Sequence, residues 1–200
     1  TDVGTKENEI TGITLKDGKD VTNYSVTRKT GLLTVTKATF SVTLAGGSFE
    51  YDGGSHTATL SGTQGGDTVR YQTSTDGTTW STPSETVPSV QNVVDGKVYV
   101  KVTVSRANYN DATDEAMIEI TARALEVTAG SNTWVYDGSV HTEHSYTITD
   151  GSLATGEEID TVTFSSGSAI TDVGTKENEI TGITLKDEKA VTNYSVTYEA

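Results

Sequence analysis

Two Tyr-Asp-Gly sequences, at 51–53 and 136–138, place an aromatic ring beside a carboxylate at a predicted turn. Such a pair can contact a sugar, because the ring offers an apolar face and the carboxylate accepts hydrogen bonds from hydroxyl groups. Trp80, in a polar stretch, is the third side chain suited to stacking on a sugar. We therefore expect any glycan contact to involve Trp80, Tyr51 and Tyr136. The alternative is that both tyrosines pack near strand ends and that Trp80 packs over the base of its loop.

Three histidines follow these turns. His56 and His141 stand at matching positions, and His144 lies three residues beyond His141. Side chains three apart on a strand point to opposite faces, so His141 and His144 could share a zinc ion only across a local bend. The absence of cysteine excludes thiolate zinc sites, disulfides and a cysteine nucleophile. We therefore predict no metal centre at these histidines.

Two groups of acidic side chains suit Ca²⁺, which prefers oxygen ligands. They are Glu157, Glu158 and Asp160, and Asp111, Asp114 and Glu115. Neither group has the spacing of the calcium-binding loop, and an acidic surface commonly serves solubility. We predict no cofactor, with Ca²⁺ at a module junction as the alternative.

The sequence contains no recognisable catalytic pattern. It has no Gly-x-Ser-x-Gly, phosphate-binding loop or His-Glu-x-x-His, and no carboxylate pair stands out for glycoside hydrolysis. A net charge of −14 disfavours binding to nucleic acid or to an anionic membrane. No apolar run approaches the roughly 18 residues of a membrane span. We expect neither an enzyme nor a nucleic-acid-binding protein, and no membrane insertion of this fragment.

Several asparagines have two interpretations. Asn-Tyr-Ser at 23–25 and 193–195 matches the glycosylation sequon, but we interpret Asn-Tyr as a turn followed by a core residue. Lys101 with Asn108 or Asn110 would suit an isopeptide crosslink, although the acid that such a bond needs is not identifiable.

Internal repetition organises the chain. Residues 1–27 recur at 171–197 with only two differences, Gly18 against Glu188 and Asp20 against Ala190. The Asn-Tyr and Tyr-Asp-Gly sequences recur at half that offset, which gives a repeating unit of about 85 residues. We call residues 1–27 the N-terminal duplicate and residues 171–197 the C-terminal duplicate.

This period predicts three pieces. Residues 1–37 are the C-terminal part of one module (type A), residues 38–122 form a complete module of a second type (B), and residues 123–200 form a type-A module that lacks its last strand. We interpret the chain as an excised fragment. Only a residue or two separates the predicted modules, which favours a semi-rigid rod.

Within each module, apolar and polar residues alternate with the period of a strand. Val98, Val100, Val102 and Val104 are the clearest example, and Trp134 is predicted to lie in a core. Helical character is confined to 152–159, for one or two turns at most. We predict all-β modules of about seven short strands.

The ordered motifs include Tyr-Asp-Gly at 136–138, Asp-Thr-Val at 160–162, Thr-Asp-Val-Gly-Thr at 171–175 and Val-Thr-Asn-Tyr-Ser-Val at 191–196. A related series runs through the middle of the chain, at 51–53, 67–71, 76–81 and 107–111. Together they resemble the MBG and YDG-type repeat modules of bacterial, mostly Gram-positive, surface proteins.

This resemblance implies an extracellular stalk or adhesin segment, at the cell surface or secreted, without catalytic residues. Its partners would be neighbouring modules of the same protein, with a host glycan or surface protein as a further candidate. The implied fold is an immunoglobulin-like β-sandwich, with a β-grasp as the alternative; strand number and turn spacing favour the sandwich. A glycan- or mucin-binding module is the alternative function.

The incomplete pieces predict an association between chains. A module without its last strand exposes a sheet edge, and such an edge recruits a strand that fits it. Leu32, Leu33 and Val35 form the strand that the third module lacks. Their partial burial would contribute about 3–5 kcal/mol. We therefore expect a homo-oligomer formed head to tail by strand exchange.

Overall fold

A computed structural model describes residues 2–200. This part of the chain is all-β, and its helical residues are confined to short 3₁₀ turns. The turns are Lys16–Gly18, Val21–Asn23, Val93–Asp95, Lys186–Glu188 and Val191–Asn193. The strands, numbered along the chain, are β1 Gly4–Asn8, β2 Gly31–Val35, β3 Thr43–Ala45, β4 Gly47–Glu50, β5 His56–Thr57, β6 Thr59–Ser61, β7 Thr68–Ser74, β8 Ser89–Val90, β9 Val98–Ser105, β10 Ala112–Thr121, β11 Arg123–Ala129, β12 Tyr146–Gly151, β13 Ile159–Phe164, β14 Ile180–Leu185 and β15 Tyr194–Glu199.

The middle segment, residues 38–122, contains a four-stranded mixed sheet in the order β4-β10-β9-β7. Strand β10 lies between two partners: it is parallel to β4, with Ile118 opposite Gly47, and antiparallel to β9, with Ile118 opposite Val98. Two small sheets, β3-β6 and β5-β8, complete the segment. Alternate residues of β9 are fully buried, as a strand covered on one face requires: Val100, Val102 and Val104.

A bidentate ion pair between Arg106 and Asp67 links two strands of the middle sheet. The Arg106 guanidinium donates to both carboxylate oxygens of Asp67, each at 2.8 Å, and also covers the Phe40 ring. This bidentate contact lowers the pKa of Asp67 to about 2, because Arg106 stabilises the ionised form of the carboxylate. It ties the start of β7 to the end of β9.

The C-terminal segment, residues 123–200, is built from the sheet β12-β11-β15 and the hairpin-like pair β13-β14. Strands β11 and β15 run parallel, with Arg123 opposite Tyr194. The buried apolar side chains of this segment are Leu125, Val127, Ala129, Ala154, Ile180, Ile183, Leu185 and Tyr194. No helix forms at 152–159; the chain turns instead at Gly156, whose φ of 82° is incompatible with a helix.

The N-terminal segment, residues 2–37, contains one antiparallel pair, β1-β2, and few of its side chains are even partly buried. The all-β class and the sandwich-like arrangement of several sheets are therefore confirmed. The three-piece division stays a prediction, and we use its boundaries only to name the segments. Among the helical turns of residues 2–200, none has the length and hydrophobicity of a membrane-spanning helix.

Candidate functional site

The middle and C-terminal segments meet at a partly buried carboxylate. Glu157 accepts a hydrogen bond from the Tyr51 hydroxyl at 2.6 Å and, on its other oxygen, from the Tyr194 hydroxyl at 2.6 Å. The Tyr194 oxygen in turn accepts from the Ala154 backbone N–H at 2.8 Å. Burial, together with the Glu157 charge, raises the pKa of both tyrosines. One acidic side chain thus joins a tyrosine of each segment.

Beside this carboxylate, a side-chain amide makes the second contact between the same segments. Asn193 is only 1% exposed. Its Oδ1 accepts from the Val93 backbone N–H at 2.9 Å, and its Nδ2 donates to Asn92 Oδ1 at 2.9 Å. We call this pair of hydrogen bonds the amide clasp. It satisfies one acceptor and one donor of a buried amide with groups of the neighbouring segment.

The same pair of hydrogen bonds occurs between the N-terminal and middle segments, there at an exposed asparagine. Asn108 Oδ1 accepts from the Val3 backbone N–H at 3.1 Å, and its Nδ2 donates to Asp2 Oδ1 at 3.1 Å. Asn108 and Asn193 belong to the Asn-Tyr pairs that recur in the sequence. In both joints the amide therefore binds a backbone N–H and the side-chain oxygen of the residue before it.

The two Tyr-Asp-Gly turns also share one geometry. Asp52 accepts from the Gly54 N–H at 2.7 Å and contacts His56 Nε2 at 3.0 Å. Asp137 makes the corresponding contacts with Ser139 and His141, at 2.8 and 3.0 Å. Backbone donation, with help from the histidine, lowers the pKa of both aspartates. These carboxylates organise turns.

An aromatic ring stacks on each of these histidines. His56 lies on Phe49, with ring centroids 4.4 Å apart, and His141 lies on Trp134 at 5.1 Å. The remaining histidine, His144, stacks on Phe164 at 5.1 Å. The three rings thus pack against aromatic neighbours.

The tyrosines of the two turns differ in their surroundings. Tyr51 is 3% exposed, whereas Tyr136 is 63% exposed. The Tyr51 backbone N–H extends the β4-β10 ladder by donating to Thr121 O at 2.9 Å. Its ring therefore offers no face to a sugar, while the Tyr136 ring is open. The prediction that Trp134 lies in a core is wrong: it is exposed, because within the described residues 132–135 pair with no strand.

A groove runs alongside these unpaired residues. It has a volume of about 310 Å³, with 132–136 on one side and 170–176 on the other. His141 lines it between the two sides. We call this feature the open groove.

Trp80 is partly buried at a separate, shallow cleft that Thr73, Pro88 and Val98 also line. The Lys101 ammonium lies 5.3 Å from the centre of the Trp80 ring. Lys101 also pairs with Glu115 at 3.1 Å, on the solvent-facing side of the sheet. Neither contact involves Asn108 or Asn110, the isopeptide partners considered from the sequence.

The acidic groups proposed for Ca²⁺ have other partners. Glu157 binds the two tyrosines, Glu158 pairs with Lys186, and Asp114 accepts from the Leu44 N–H at 2.7 Å. Throughout residues 2–200, no three His, Asp or Glu side chains are grouped as ligands of one ion. Ca²⁺ binding and its absence are both left as predictions.

The strand expected to pair between chains is open to solvent. Leu32, Leu33 and Val35 of β2 are all exposed, and β2 has a single partner, β1, among the described residues. The sequence suggested Glu157 only as a Ca²⁺ ligand and gave no sign of its bond to Tyr51, which lies far away in the chain. Sequence reasoning could have found the amide clasps, since the regular spacing of Asn-Tyr marks them.

No protein-family model matches the chain, and a search of curated proteins found no significant relative. Function is therefore inferred from the contacts within the chain itself.

Proposed function

We propose that this chain is a segment of a stalk from a bacterial surface protein, which holds other domains away from the cell. Its modules would be of the MBG and YDG type, with an immunoglobulin-like sandwich fold and an extracellular location. The observation that carries the proposal is the amide clasp, which occurs with the same donors and acceptors at both joints. A joint that recurs is what a repeating rod requires.

The joints suit a stiff rod. Hydrogen bonds fix direction as well as distance, so the clasp and the Tyr51–Glu157–Tyr194 bridge resist bending between segments. The two clasps engage the middle segment beyond opposite ends of β9, whose eight residues span roughly 27 Å. Force applied at one joint would therefore pass along the middle sheet to the other.

Small-angle X-ray scattering of the full chain tests this role. We expect an elongated particle with a narrow distribution of lengths, and a broader distribution for Asn193→Ala, which removes one clasp. Asn23→Ala is the matched control, because Asn23 occupies the same place in the N-terminal duplicate and its side chain makes no hydrogen bond within residues 2–200. Tyr51→Phe, which deletes one hydroxyl from the bridge, gives a second and milder variant. A flexible wild-type chain, or identical curves for all variants, would contradict the proposal.

Glycan binding is the second candidate, and the open cleft at Trp80 is the observation that favours it. The exposed Tyr136 ring is a further possible platform. On a glycan array, binding that is lost in Trp80→Ala or Tyr136→Ala would support this function. A stalk without ligand would give no signal on the array.

A further inference from the structure

The chain that enters the middle segment lies beside the chain that leaves it. Ala38 forms a parallel bridge with Tyr109. The Ala38 N–H donates to Asn108 O at 3.1 Å, and the Ala38 carbonyl accepts from the Asn110 N–H at 2.9 Å. The segment is therefore hydrogen-bonded to its own exit strand from its first residue onwards.

A second patch of the same pairing lies further along. Strand β4 runs parallel to the end of β10. In both patches the partner lies 71 residues further along the chain, so they share one register. The Tyr51 N–H extends the ladder by donating to Thr121 O at 2.9 Å. We call the paired stretches, 38–51 against 108–121, the parallel seam.

Side chains add contacts across the parallel seam. Between the two patches β3 pairs with β6, yet the Leu44 N–H still donates to Asp114 Oδ2 at 2.7 Å. Within the second patch, the Ser48 hydroxyl donates to Glu119 Oε2 at 3.3 Å. The two stretches are therefore joined at the start, in the middle and at the end.

A glycine lets the two stretches approach closely. A Cβ at Gly46 would lie 2.2 Å from Met117 O, which is closer than a side chain can come to a carbonyl. A Cβ at the next residue, Gly47, would meet nothing nearer in residues 2–200 than the Phe49 ring, at 3.9 Å. The approach of β4 to β10 therefore requires glycine at 46 but not at 47.

The direction of the strands decides how the seam meets a pull along the chain. Tension enters the middle segment at 37 and leaves it at 122, because both positions continue into a neighbouring segment. It draws 38–51 towards its own N-terminus and 108–121 towards its own C-terminus. Since the stretches are parallel, the two forces oppose each other along the strand axis. The hydrogen bonds across the seam then share the load instead of breaking one at a time.

The same kind of pairing occurs in the C-terminal segment. Strand β11 runs parallel to β15, and Arg123 lies opposite Tyr194 at the same spacing along the chain as in the seam. Parallel pairs are slightly less stable per residue than antiparallel ones. Their recurrence in two segments of different sequence therefore suits a role under load better than a role in stability alone.

We propose that the parallel seam is a load-bearing element, which keeps the middle segment folded while the chain is under tension. This role deepens the stalk function and rests on it, since only an anchored chain that is pulled needs such an element. The joints hold both ends of the seam: Asn108 binds the N-terminal segment through its clasp, and Tyr51 binds Glu157 of the C-terminal segment.

Single-molecule force spectroscopy of the full chain tests this role, since the lack of native cysteine allows handles at chosen positions. In Lys37→Cys/Ala122→Cys the force acts along the seam. In Lys37→Cys/Ala107→Cys it acts at one end and peels the two stretches apart. All three positions are exposed, so the fold tolerates the handles. The first geometry should require several-fold the force of the second, and equal forces would overturn the proposal.

The length of chain released shows which part was holding. Rupture of the seam should free 38–121 in one step, which at about 3.3–3.6 Å per residue releases roughly 280–300 Å of chain. Detachment of 38–51 alone at low force, before the rest of the segment unfolds, would mean that the seam carries no load. That result would also overturn the proposal.

Substitution of the two adjacent glycines gives a matched pair of variants. Gly46→Ala should lower the force in the shear geometry, and Gly47→Ala should not. Forced unfolding depends on the unfolding rate, so the peeling geometry serves as the reference for a general loss of stability. An equal fractional loss in both geometries for Gly46→Ala would contradict the seam. Ser48→Ala, which removes one contact without adding volume, gives a second variant if Gly46→Ala does not fold.

The scattering experiment on the joints and the pulling experiment on the seam can fail separately. A chain with flexible joints whose middle segment resists shear would refute the stiff rod and leave the seam. A stiff rod that unfolds at the same force in both geometries would refute the seam alone.

Discussion

The N-terminal and C-terminal duplicates have nearly the same sequence but different environments. Ile13 is 37% exposed in an irregular stretch, whereas its counterpart Ile183 is 7% exposed in β14. The reverse holds at the other end of the duplicates, where 4–8 form a strand and 174–178 do not. Each duplicate forms strands only where the rest of the chain supplies a partner.

The turns of the duplicates do not depend on environment. Both duplicates form the same two 3₁₀ turns, at Lys16–Gly18 and Val21–Asn23 and at Lys186–Glu188 and Val191–Asn193. Local hydrogen bonds close such turns, whereas a strand needs residues distant in sequence. This sequence therefore determines its turns locally, whereas its strands form only where a partner strand is available.

The largest expected effect comes from adding, in the same chain, a strand that can pair with residues 174–178. A chain extended after Ala200 by the sequence of residues 31–37 should form a strand at 174–178 and gain about 3–5 kcal/mol in unfolding free energy. Urea unfolding and amide hydrogen exchange would measure the two changes. An extension with aspartate in place of both leucines is the control. Unchanged exchange at 174–178 would refute the role we give to the partner strand.

Truncating one isoleucine in each duplicate measures the difference in packing. Ile183→Ala should cost about 2–5 kcal/mol, because it leaves a cavity in a buried site. Ile13→Ala should change the unfolding free energy by less than about 0.5 kcal/mol, as is usual for a surface position. Chemical denaturation of both variants checks this, and similar costs would break the comparison.

Of the two positions at which the duplicates differ, the one occupied by Gly18 and Glu188 should affect the free energy of unfolding. Glu188 has a φ of 55°, in the left-handed region, where the N-terminal duplicate has Gly18 with a φ of 63°. Glu188→Gly should therefore stabilise the chain by about 0.5–1 kcal/mol, since glycine adopts this backbone without strain. Lys189→Gly is the control, because Lys189 has a φ of −59° and gains nothing from glycine. Thermal unfolding that ranks the two variants in the opposite order would contradict this explanation.

The smallest expected effect is electrostatic. Lys186 pairs with Glu158, and this contact lowers the pKa of Glu158. Because the folded pKa is the lower one, the pair contributes at pH values above the ordinary glutamate pKa and is lost as the pH falls through the folded value. Carbon-13 NMR should show the Glu158 midpoint rise in Lys186→Ala. It should not move in Lys16→Ala, the equivalent change in the other duplicate, and an equal shift in both variants would exclude the pair as the cause.

The all-β class was predictable because alternation in sequences such as Val98–Val104 requires no knowledge of the partner strand. The exposure of Trp134 was not predictable. The alternation around it predicts a buried strand, but no strand within residues 2–200 pairs with 132–135 to cover its ring. Glu157 was not predictable either, since no local pattern links it to Tyr51. The amide clasps were partly predictable. The regular spacing of Asn-Tyr marks Asn108 and Asn193, but it does not reveal what their side chains bind.

The amide clasp has a consequence for how such a chain could change in length over evolution. Its partner at one joint is Asn92 and at the other is Asp2, yet both present an oxygen at the same atom, Oδ1. The second bond uses a backbone N–H, which every residue except proline supplies. In the stalk that we propose, a joint with so few requirements would let recombination add, delete or reorder whole units without changes to the surfaces that meet.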